Sequence, residues 1–247
     1  MKISIITATF NSEKTIERTI KSCIAQSYEH IEYIVVDGAS KDRTLDIIRS
    51  YERHITKLIS EPDTGIYNAL NKGIKLATGD VIGFLHSDDE FYSDDVLKTV
   101  ADAFLSNNVD SIYGNGVYVA SINPDRVIRN WQSKEFNYND LKNGWMPMHP
   151  TFFVKRKIYE ANGLFDESYR IAADYDLVLR FLYDKKISAK YLNKHLIKMK
   201  VGGASSSVKN WVKKWKEDYQ IMKSHQINPV IGMLNKNFSK IIQFIRV

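Results

Sequence analysis

The stretch "GDVIGFLHSDDEFY", residues 79–92, decides the fold. Its apolar run from Val81 to Leu85 predicts a buried strand. The chain then places Asp88 and Asp89 side by side at the end of that strand. Two like charges in contact repel each other, so the pair needs solvent or a cation between the carboxylates. Because ligands of open parallel sheets bind beyond the carboxyl ends of the strands, this pair is the first candidate for a functional site.

The sequence before this stretch alternates strands and helices. Apolar, β-branched runs predict strands at 2–10, 31–38, 56–60 and 79–89. Helical patterns lie between and after them, at 12–27, 41–53, 65–77 and 93–105, with Ser12 and Ser93 as predicted N-caps. This order predicts an α/β fold, with a Rossmann-like, mostly parallel central sheet flanked by helices on both faces.

The second half of the chain has a different pattern. Residues 110–132 alternate around a turn at Asn123–Pro124, which predicts a small antiparallel addition to the sheet. A strand running into a helix is predicted at 149–163. An amphipathic helix is predicted at 173–186, with its inward residues at Leu177, Phe181 and Leu182. Two further helices are predicted from residue 207 onward.

The charge is unevenly distributed along the chain. From Lys185 to Val247 there are 14 Lys and Arg against 2 Asp and Glu, whereas the first 184 residues carry 21 against 27. A basic tail indicates an anionic partner such as nucleic acid, a membrane surface or a phosphorylated acceptor, although a solvated lysine-rich surface is the alternative. We therefore expect a domain at 1–205, divided into halves at 1–110 and 111–205, and basic amphipathic helices at 206–247.

Aromatic side chains recur at helical spacing in this tail. Trp211, Trp215 and Tyr219 lie at i, i+4 and i+8 among several lysines. This pattern suits a helix at an anionic membrane surface, but packing on the core or on a second subunit of a homo-oligomer stays open. One cysteine, Cys23, and an N-terminal apolar run too short for a signal peptide favour a cytoplasmic location, with peripheral attachment to the membrane as an option.

Common phosphate-binding motifs are absent from the sequence. The first predicted strand is followed by "TATFNSE" rather than GxGxxG, and the chain has no Walker-type loop. A diphosphate could instead be neutralised by Mg²⁺ or Mn²⁺ held on Asp88 and Asp89, the alternative for the pair being an exposed turn. Asp37 and Asp63 also follow predicted strands, so the carboxylates gather at one edge of the sheet.

Five motifs then carry a resemblance to a known family. The segments "TATFN" (7–11), "VVDGAS" (35–40), "EPDTGIYNALNKGIKLATGD" (61–80), "FLHSDD" (84–89) and "AADYDLVLR" (172–180) resemble, in order and spacing, the family 2 glycosyltransferases of the GT-A fold. The resemblance covers about residues 2–205. It implies a nucleotide-sugar donor, usually a UDP-sugar, a divalent metal, and inversion at the anomeric carbon.

The resemblance also implies roles for single residues. Near the nucleotide it places Thr7, Thr9, Asn11, Asp37 (against the uracil), Asp63, Asn71 and Asp88. It makes Asp89 the metal ligand, with Asp88 on the ribose or metal side, and Asp174 the catalytic base. Two departures from the family pattern are His86, where Asp or Asn is common, and Ala173, where Glu is common.

Two residues are weaker candidates, because neither lies in one of these motifs. His149 could face the acceptor or the diphosphate, and Lys200 could add charge near the pyrophosphate. Their alternatives are a packed structural histidine and a solvated strand end.

The sequence thus predicts an inverting, metal-dependent transferase. It would move one sugar to a glycan or lipid-diphosphate-linked acceptor in bacterial cell-surface polysaccharide synthesis. A nucleotidyltransferase of similar fold is the first alternative, but it would need a basic, phosphate-binding first loop. A non-catalytic nucleic-acid binder is the second, but a rim of carboxylates repels phosphate, so we expect no nucleic-acid partner.

Overall fold

The computed structural model describes residues 1–120, 126–201 and 208–236. Nine strands in these ranges form one sheet, in the order β3-β2-β1-β4-β8-β6-β9-β5, with β7 paired to β6. The strands are β1 Ile3–Thr9, β2 Ile31–Asp37, β3 Lys57–Ser60, β4 Val81–Phe84, β5 Glu90–Phe91, β6 Ser111–Val119, β7 Val127–Trp131, β8 Phe153–Lys155 and β9 Ala189–Lys200.

The first four strands of this order are parallel. All seven residues of β1 are buried, as expected for a strand covered on both faces. Thr9 at the end of β1 pairs with Asp37, and Asp37 pairs with Ser60, so the carboxyl ends of three strands lie at one edge. The predicted α/β architecture is confirmed.

Helices accompany the sheet, and eight of them are numbered α1 to α8. They are α1 Ile16–Ile24, α2 Thr44–Ser50, α3 Ile66–Leu76, α4 Val96–Ser106, α5 Tyr138–Lys142, α6 Arg156–Asn162, α7 Ala173–Val178 and α8 Val208–Ser224. A π-helical turn, Leu179–Asp184, continues α7. The predicted N-caps Ser12 and Ser93 are wrong, because the N-cap positions of α1 and α4 are Thr15 and Asp95. The Ser12 hydroxyl instead lies against the Phe10 carbonyl, and that of Ser93 against the Asp95 carboxylate.

The second half of the sheet is largely antiparallel. The predicted hairpin exists, since β6 and β7 pair antiparallel, but its turn at Asn123–Pro124 lies outside the described residues. β8 pairs antiparallel with both β4 and β6 and so joins the two halves. β9 lies parallel to β6 and brings Lys200 beside Val119.

Helix α8 and the segment after it pack on the second half of the chain rather than projecting from it. Ile221 and Met222 of α8 are fully buried in the same apolar cluster as Leu177 and Phe181 of the α7 segment. Residues 229–236 form a further helical segment, whose Met233 joins that cluster. The division at 205/206 stays a sequence prediction. None of the helices in the described ranges is long and apolar enough to cross a membrane.

An imidazole between two carboxylates anchors the end of α8. His225 is 8% exposed; its Nδ1 lies 2.7 Å from Asp184 and its Nε2 3.0 Å from Asp176. Arg180 also contacts Asp176, at 3.2 Å. Burial alone would lower the His225 pKa, but the hydrogen bonds and charges of the two carboxylates outweigh burial and raise it.

This anchor predicts a pH dependence of stability. Because the His225 pKa is raised on folding, the folded chain binds more protons than the unfolded chain above the ordinary value of about 6.5. The free energy of unfolding should therefore fall as pH rises from about 6.5 through the raised pKa. His225→Gln should flatten this slope in urea titrations, whereas His54→Gln, at an exposed position, should keep it. An unchanged slope in His225→Gln would contradict the assignment.

Candidate active site

The loops that follow β1 and β2 meet the loop after β3 at the carboxyl edge of the sheet. The amide of Gly38 donates to the Thr9 carbonyl at 2.9 Å. A Cβ at Gly38 would collide with the Asp63 carboxylate and would lie 3.4 Å from the Phe10 ring, so this approach requires glycine. Phe10 is 58% exposed beside Asp63. Sequence reasoning missed Phe10, although a large apolar side chain in the polar loop "TATFNSE" was a usable signal.

Asp37 supports this edge from inside. It is fully buried, and both of its carboxylate oxygens accept hydrogen bonds. The donors are the backbone N–H of Ser40 at 3.1 Å, the Ser40 hydroxyl, and the Ser60 hydroxyl at 2.7 Å. In this conformation Asp37 fixes the loop after β2 and does not face the open edge.

The polar residues at and just after the end of β1, Thr7, Thr9 and Asn11, differ in burial and in hydrogen bonding. The Thr7 hydroxyl is buried and donates to the Leu85 carbonyl at 2.7 Å, so it joins β1 to the end of β4. Thr9 is 4% exposed, and its hydroxyl has no hydrogen-bond partner in the described part of the chain. Asn11 is exposed, and its side-chain oxygen accepts from the Lys41 amide at 2.9 Å.

Asn71 has its hydrogen bonds inside the protein. Its side-chain nitrogen donates to the Phe165 carbonyl at 3.0 Å and to Glu167 at 2.9 Å, and its oxygen accepts from the Phe165 amide at 3.0 Å. It is 5% exposed. Asn71 thus holds the 165–167 loop onto α3 rather than facing the rim.

The two adjacent carboxylates after β4 lie in different environments. Asp88 is partly exposed, and its carboxylate accepts no hydrogen bond from the residues described. Asp89 is 1% exposed; one oxygen lies near the Lys200 amide, and Oδ2 has no partner in the described ranges. Burial, and then the charge of Asp88, raise the Asp89 pKa well above its usual range. Asp88 is therefore the more exposed member of the pair at the rim, and Asp89 lies buried beneath it.

Two neutral histidines lie beside these carboxylates. The His149 ring stacks on Phe84 and on His86, with centroid separations of 5.5 and 5.6 Å. Burial lowers the His149 pKa to about 4 and lowers that of His86, while the charge of Asp174 opposes both shifts. Neither His149 nitrogen has a hydrogen-bond partner within the described residues. Both imidazoles are thus neutral at pH 7 and available as hydrogen-bonding groups.

Asp174 lies in the first turn of α7, within electrostatic reach of this histidine pair. Its carboxylate accepts a hydrogen bond from the Tyr67 hydroxyl at 3.2 Å, and the same hydroxyl lies 2.8 Å from the Ile171 carbonyl. Asp174 is partly exposed. The structure therefore brings Asp174, His149, His86 and Asp88 together from three separate segments.

Lys200 reaches the site through its backbone. It is the last residue of β9, and its amide approaches Asp89. Its side chain is partly exposed.

The donor set at the rim suits a divalent cation that also binds a diphosphate. No cluster of three or more Asp, Glu, His or Cys in the described ranges could hold a metal by itself. Mg²⁺ and Mn²⁺ in nucleotide sites usually take one or two protein carboxylates, and phosphate and water supply the other ligands. Asp88 meets that requirement as a partly exposed oxygen donor at the rim. Asp89, the second predicted ligand, is buried, and its Oδ2 has no hydrogen-bond partner in the described ranges.

The parallel part of the sheet carries acidic groups at its carboxyl edge, and the sequence comparison identifies the family. The glycosyl transferase family 2 model matches residues 4–163. The chain belongs to this family.

Relatives and solved structures agree with this assignment. A PGL/p-HBAD biosynthesis glycosyltransferase of Mycobacterium bovis is 31% identical over 195 residues, 77% of this chain and 73% of that one. S. aureus TarS 1–349 in complex with UDP-GlcNAc has a TM-score of 0.70 at 21% identity, covering 90% of this chain and 67% of that one. Against a longer TarS chain the coverage is only 39%.

A third protein shares the fold. Mannosyltransferase PcManGT from Pyrobaculum calidifontis, in complex with GDP-Man and Mn²⁺, has a TM-score of 0.68 at 17% identity. The match covers 96% of this chain and 68% of that one. At these identities the two solved proteins establish the GT-A fold alone.

Proposed function

We propose that this protein is an inverting glycosyltransferase that moves one sugar from a UDP-sugar to a hydroxyl of a glycan or lipid-linked acceptor. The observation that carries the proposal is the grouping around His86, whose imidazole interacts electrostatically with both Asp88 and Asp174. Asp88 follows β4 on the nucleotide side, and Asp174 comes from α7 on the opposite half. A site with one carboxylate on each side suits a reaction with a charged leaving group and a base.

Asp174 is the general base of this proposal. A single displacement needs one group to take the proton of the acceptor hydroxyl as its oxygen attacks the anomeric carbon. Asp174 lies in the first turn of α7, where the positive end of the helix dipole is located. The Tyr67 hydroxyl fixes one oxygen of Asp174, so the other oxygen is left to face the acceptor. Asp176, two residues on, is bound to His225 and Arg180 and is not a competing base.

Asp88 is the proposed protein ligand of Mn²⁺ or Mg²⁺. When bound, the cation would neutralise charge on the diphosphate leaving group. The chain's own contribution is a single charged carboxylate at the rim, beside neutral His86 and His149. A neutral imidazole can donate one hydrogen bond to a phosphate oxygen without a buried positive charge. Asp89 supports the turn below.

The loops after β1 and β3 suit the nucleoside. The exposed Phe10 ring offers a flat apolar face, and the Asp63 carboxylate lies next to it across Gly38. An aromatic ring beside a hydrogen-bond acceptor is a suitable surface for a base that carries an N–H group. UDP is the favoured nucleotide, since TarS binds UDP-GlcNAc, and GDP is the nucleotide to compare, since PcManGT binds GDP-Man.

The acceptor is proposed as a glycan or lipid-linked molecule in cell-surface polysaccharide synthesis. The name of the mycobacterial relative places that protein in PGL/p-HBAD biosynthesis. A nucleotidyltransferase is disfavoured by the family and by the lack of a basic first loop. A nucleic-acid binder is disfavoured by the acidic rim.

The outer face of α8 supports peripheral binding to an anionic membrane. Trp211 and Trp215 pack together with a centroid separation of 5.6 Å, yet they are 56% and 41% exposed. Tyr219, one turn further, is also exposed, as are Lys213 and Lys216. Exposed tryptophan and tyrosine among lysines match the chemistry of an anionic lipid headgroup layer. We take the lipid surface, rather than a second subunit, as the occupant because the lysines would repel an identical copy.

Replacing the proposed base tests the reaction. Asp174→Asn removes the proton acceptor but preserves side-chain shape, so turnover should fall by about 10²–10⁴-fold. Affinity for UDP should stay within about twofold, because Asp174 lies on the acceptor side. The measurements are UDP release from UDP-sugars and calorimetric titration with UDP. Asp166→Asn, at an exposed position in the preceding loop, is the control. Turnover near wild type in Asp174→Asn would contradict the assignment.

Vesicle binding tests the proposed membrane surface. The protein should sediment with vesicles of phosphatidylcholine and phosphatidylserine, but not with phosphatidylcholine alone. Trp211→Ser with Trp215→Ser should weaken this binding by about tenfold or more, because two interfacial rings are lost. Leu105→Ser, on α4 and 70% exposed, is the matched control and should bind as wild type. Tryptophan-dependent dimerisation without vesicle binding would contradict the proposal and indicate a homo-oligomer.

A further inference from the structure

A carboxylate of the C-terminal helix ends at the backbone just before the proposed catalytic helix. Glu217 of α8 is 6% exposed. One of its oxygens accepts from the Arg170 amide at 3.0 Å, and the other accepts from the Ile171 and Ala172 amides at 2.8 and 2.9 Å. One side chain thus satisfies three successive backbone N–H groups.

The local sequence does not supply this function. The N-cap position of α7 is Ala172, whose side chain has no hydrogen-bond acceptor. Ala172 is fully buried, so its amide would be left without water as a partner. An unsatisfied buried amide costs about 1–3 kcal/mol. Glu217 therefore supplies, from another helix, the acceptors for the amides of the three residues that precede α7.

The same segment is held from its other side by Tyr67. Its hydroxyl contacts both the Ile171 carbonyl and the Asp174 carboxylate. The peptide groups of Ile171 are thus fixed by Glu217 at the N–H and by Tyr67 at the C=O. Asp174 follows two residues after Ala172, so the direction of its side chain depends on this segment.

We propose that Glu217 is a positioning residue for the base, and this proposal rests on the glycosyltransferase function given above. Glu217 touches no reactant. It fixes the backbone at 170–172, and through that backbone it sets the direction in which Asp174 faces the acceptor. The C-terminal helix is accordingly part of the catalytic apparatus, although it lies outside the residues that match the family model.

The neighbouring residue Asp218 provides a matched control. It is also buried on α8, at 5% exposure, and it accepts hydrogen bonds from Lys214 at 3.1 Å and Lys236 at 3.0 Å. It makes no contact with the amides of 170–172. Asp218→Asn should weaken the docking of α8 without moving the base, whereas Glu217→Gln places an amide donor against N–H groups.

The test compares wild type, Glu217→Gln and Asp218→Asn in two measurements. Hydrogen exchange of the 170–172 amides should be about tenfold faster or more in Glu217→Gln, and within about twofold of wild type in Asp218→Asn. The kcat for UDP release from a UDP-sugar should fall by about 10–100-fold in Glu217→Gln, with the Kd for UDP unchanged. Asp218→Asn should keep kcat within about twofold, even where its Tm falls.

Three outcomes would overturn the proposal. Fast exchange with unchanged kcat would mean that the order of the 170–172 backbone does not affect the base. An equal loss of kcat in both variants would indicate general loosening of α8. Unchanged exchange in Glu217→Gln would mean that the carboxylate does not hold the loop. If Glu217→Gln does not fold, Glu217→Asp, which keeps the charge on a shorter side chain, is measured instead with the same expected kcat loss.

The exchange measurement is independent of the reaction. A wild-type protein that turns over no UDP-sugar would refute the proposed function, but exchange at 170–172 would still decide whether Glu217 holds the segment.

Discussion

Carboxylates that leave water on folding must be hydrogen-bonded, paired with a cation or protonated, and the site follows from this constraint. Glu32 of β2 is both hydrogen-bonded and paired with a cation. It is 1% exposed and accepts from the Ser4 hydroxyl at 2.6 Å and from Lys57 at 3.2 Å. Burial would raise the Glu32 pKa, but these bonds lower it. Asp37 uses hydroxyl and amide donors, and the burial of Asp89 raises the pKa of its carboxyl.

The partly exposed carboxylates that remain are the ones available for chemistry. Asp88 has no hydrogen-bond donor in the described part of the chain, and Asp174 has one, Tyr67. Both carboxylates interact electrostatically with the neutral His86 imidazole, and Asp174 also interacts with the neutral His149 imidazole. A cation that also binds a diphosphate can bind Asp88, and an acceptor hydroxyl can donate a hydrogen bond to Asp174. The proposed catalytic groups are thereby divided between the two halves of the chain.

Much of the architecture could be predicted, because β-branched runs and helical stripes alternate clearly up to residue 105. β9, Ala189–Lys200, is the longest strand in the described ranges, and it was not predicted because lysines interrupt its apolar pattern. Candidate site residues were harder to assign. Resemblance located Asp37 and Asn71 near the nucleotide edge, but it could not show that their polar atoms are already bonded within the protein. Glu217 was missed because its partners lie 45 to 47 residues away in the chain.

The difference between Asp88 and Asp89 is the most direct test of this account. Calorimetric titration with UDP, in Mn²⁺ and then in EDTA, should show metal-dependent binding by the wild-type protein. That binding should be lost in Asp88→Asn and kept in Asp89→Asn, because Asp88 is partly exposed at the rim whereas Asp89 is 1% exposed beneath it. Metal-dependent binding that survives in a folded Asp88→Asn protein but disappears in a folded Asp89→Asn protein would contradict the account.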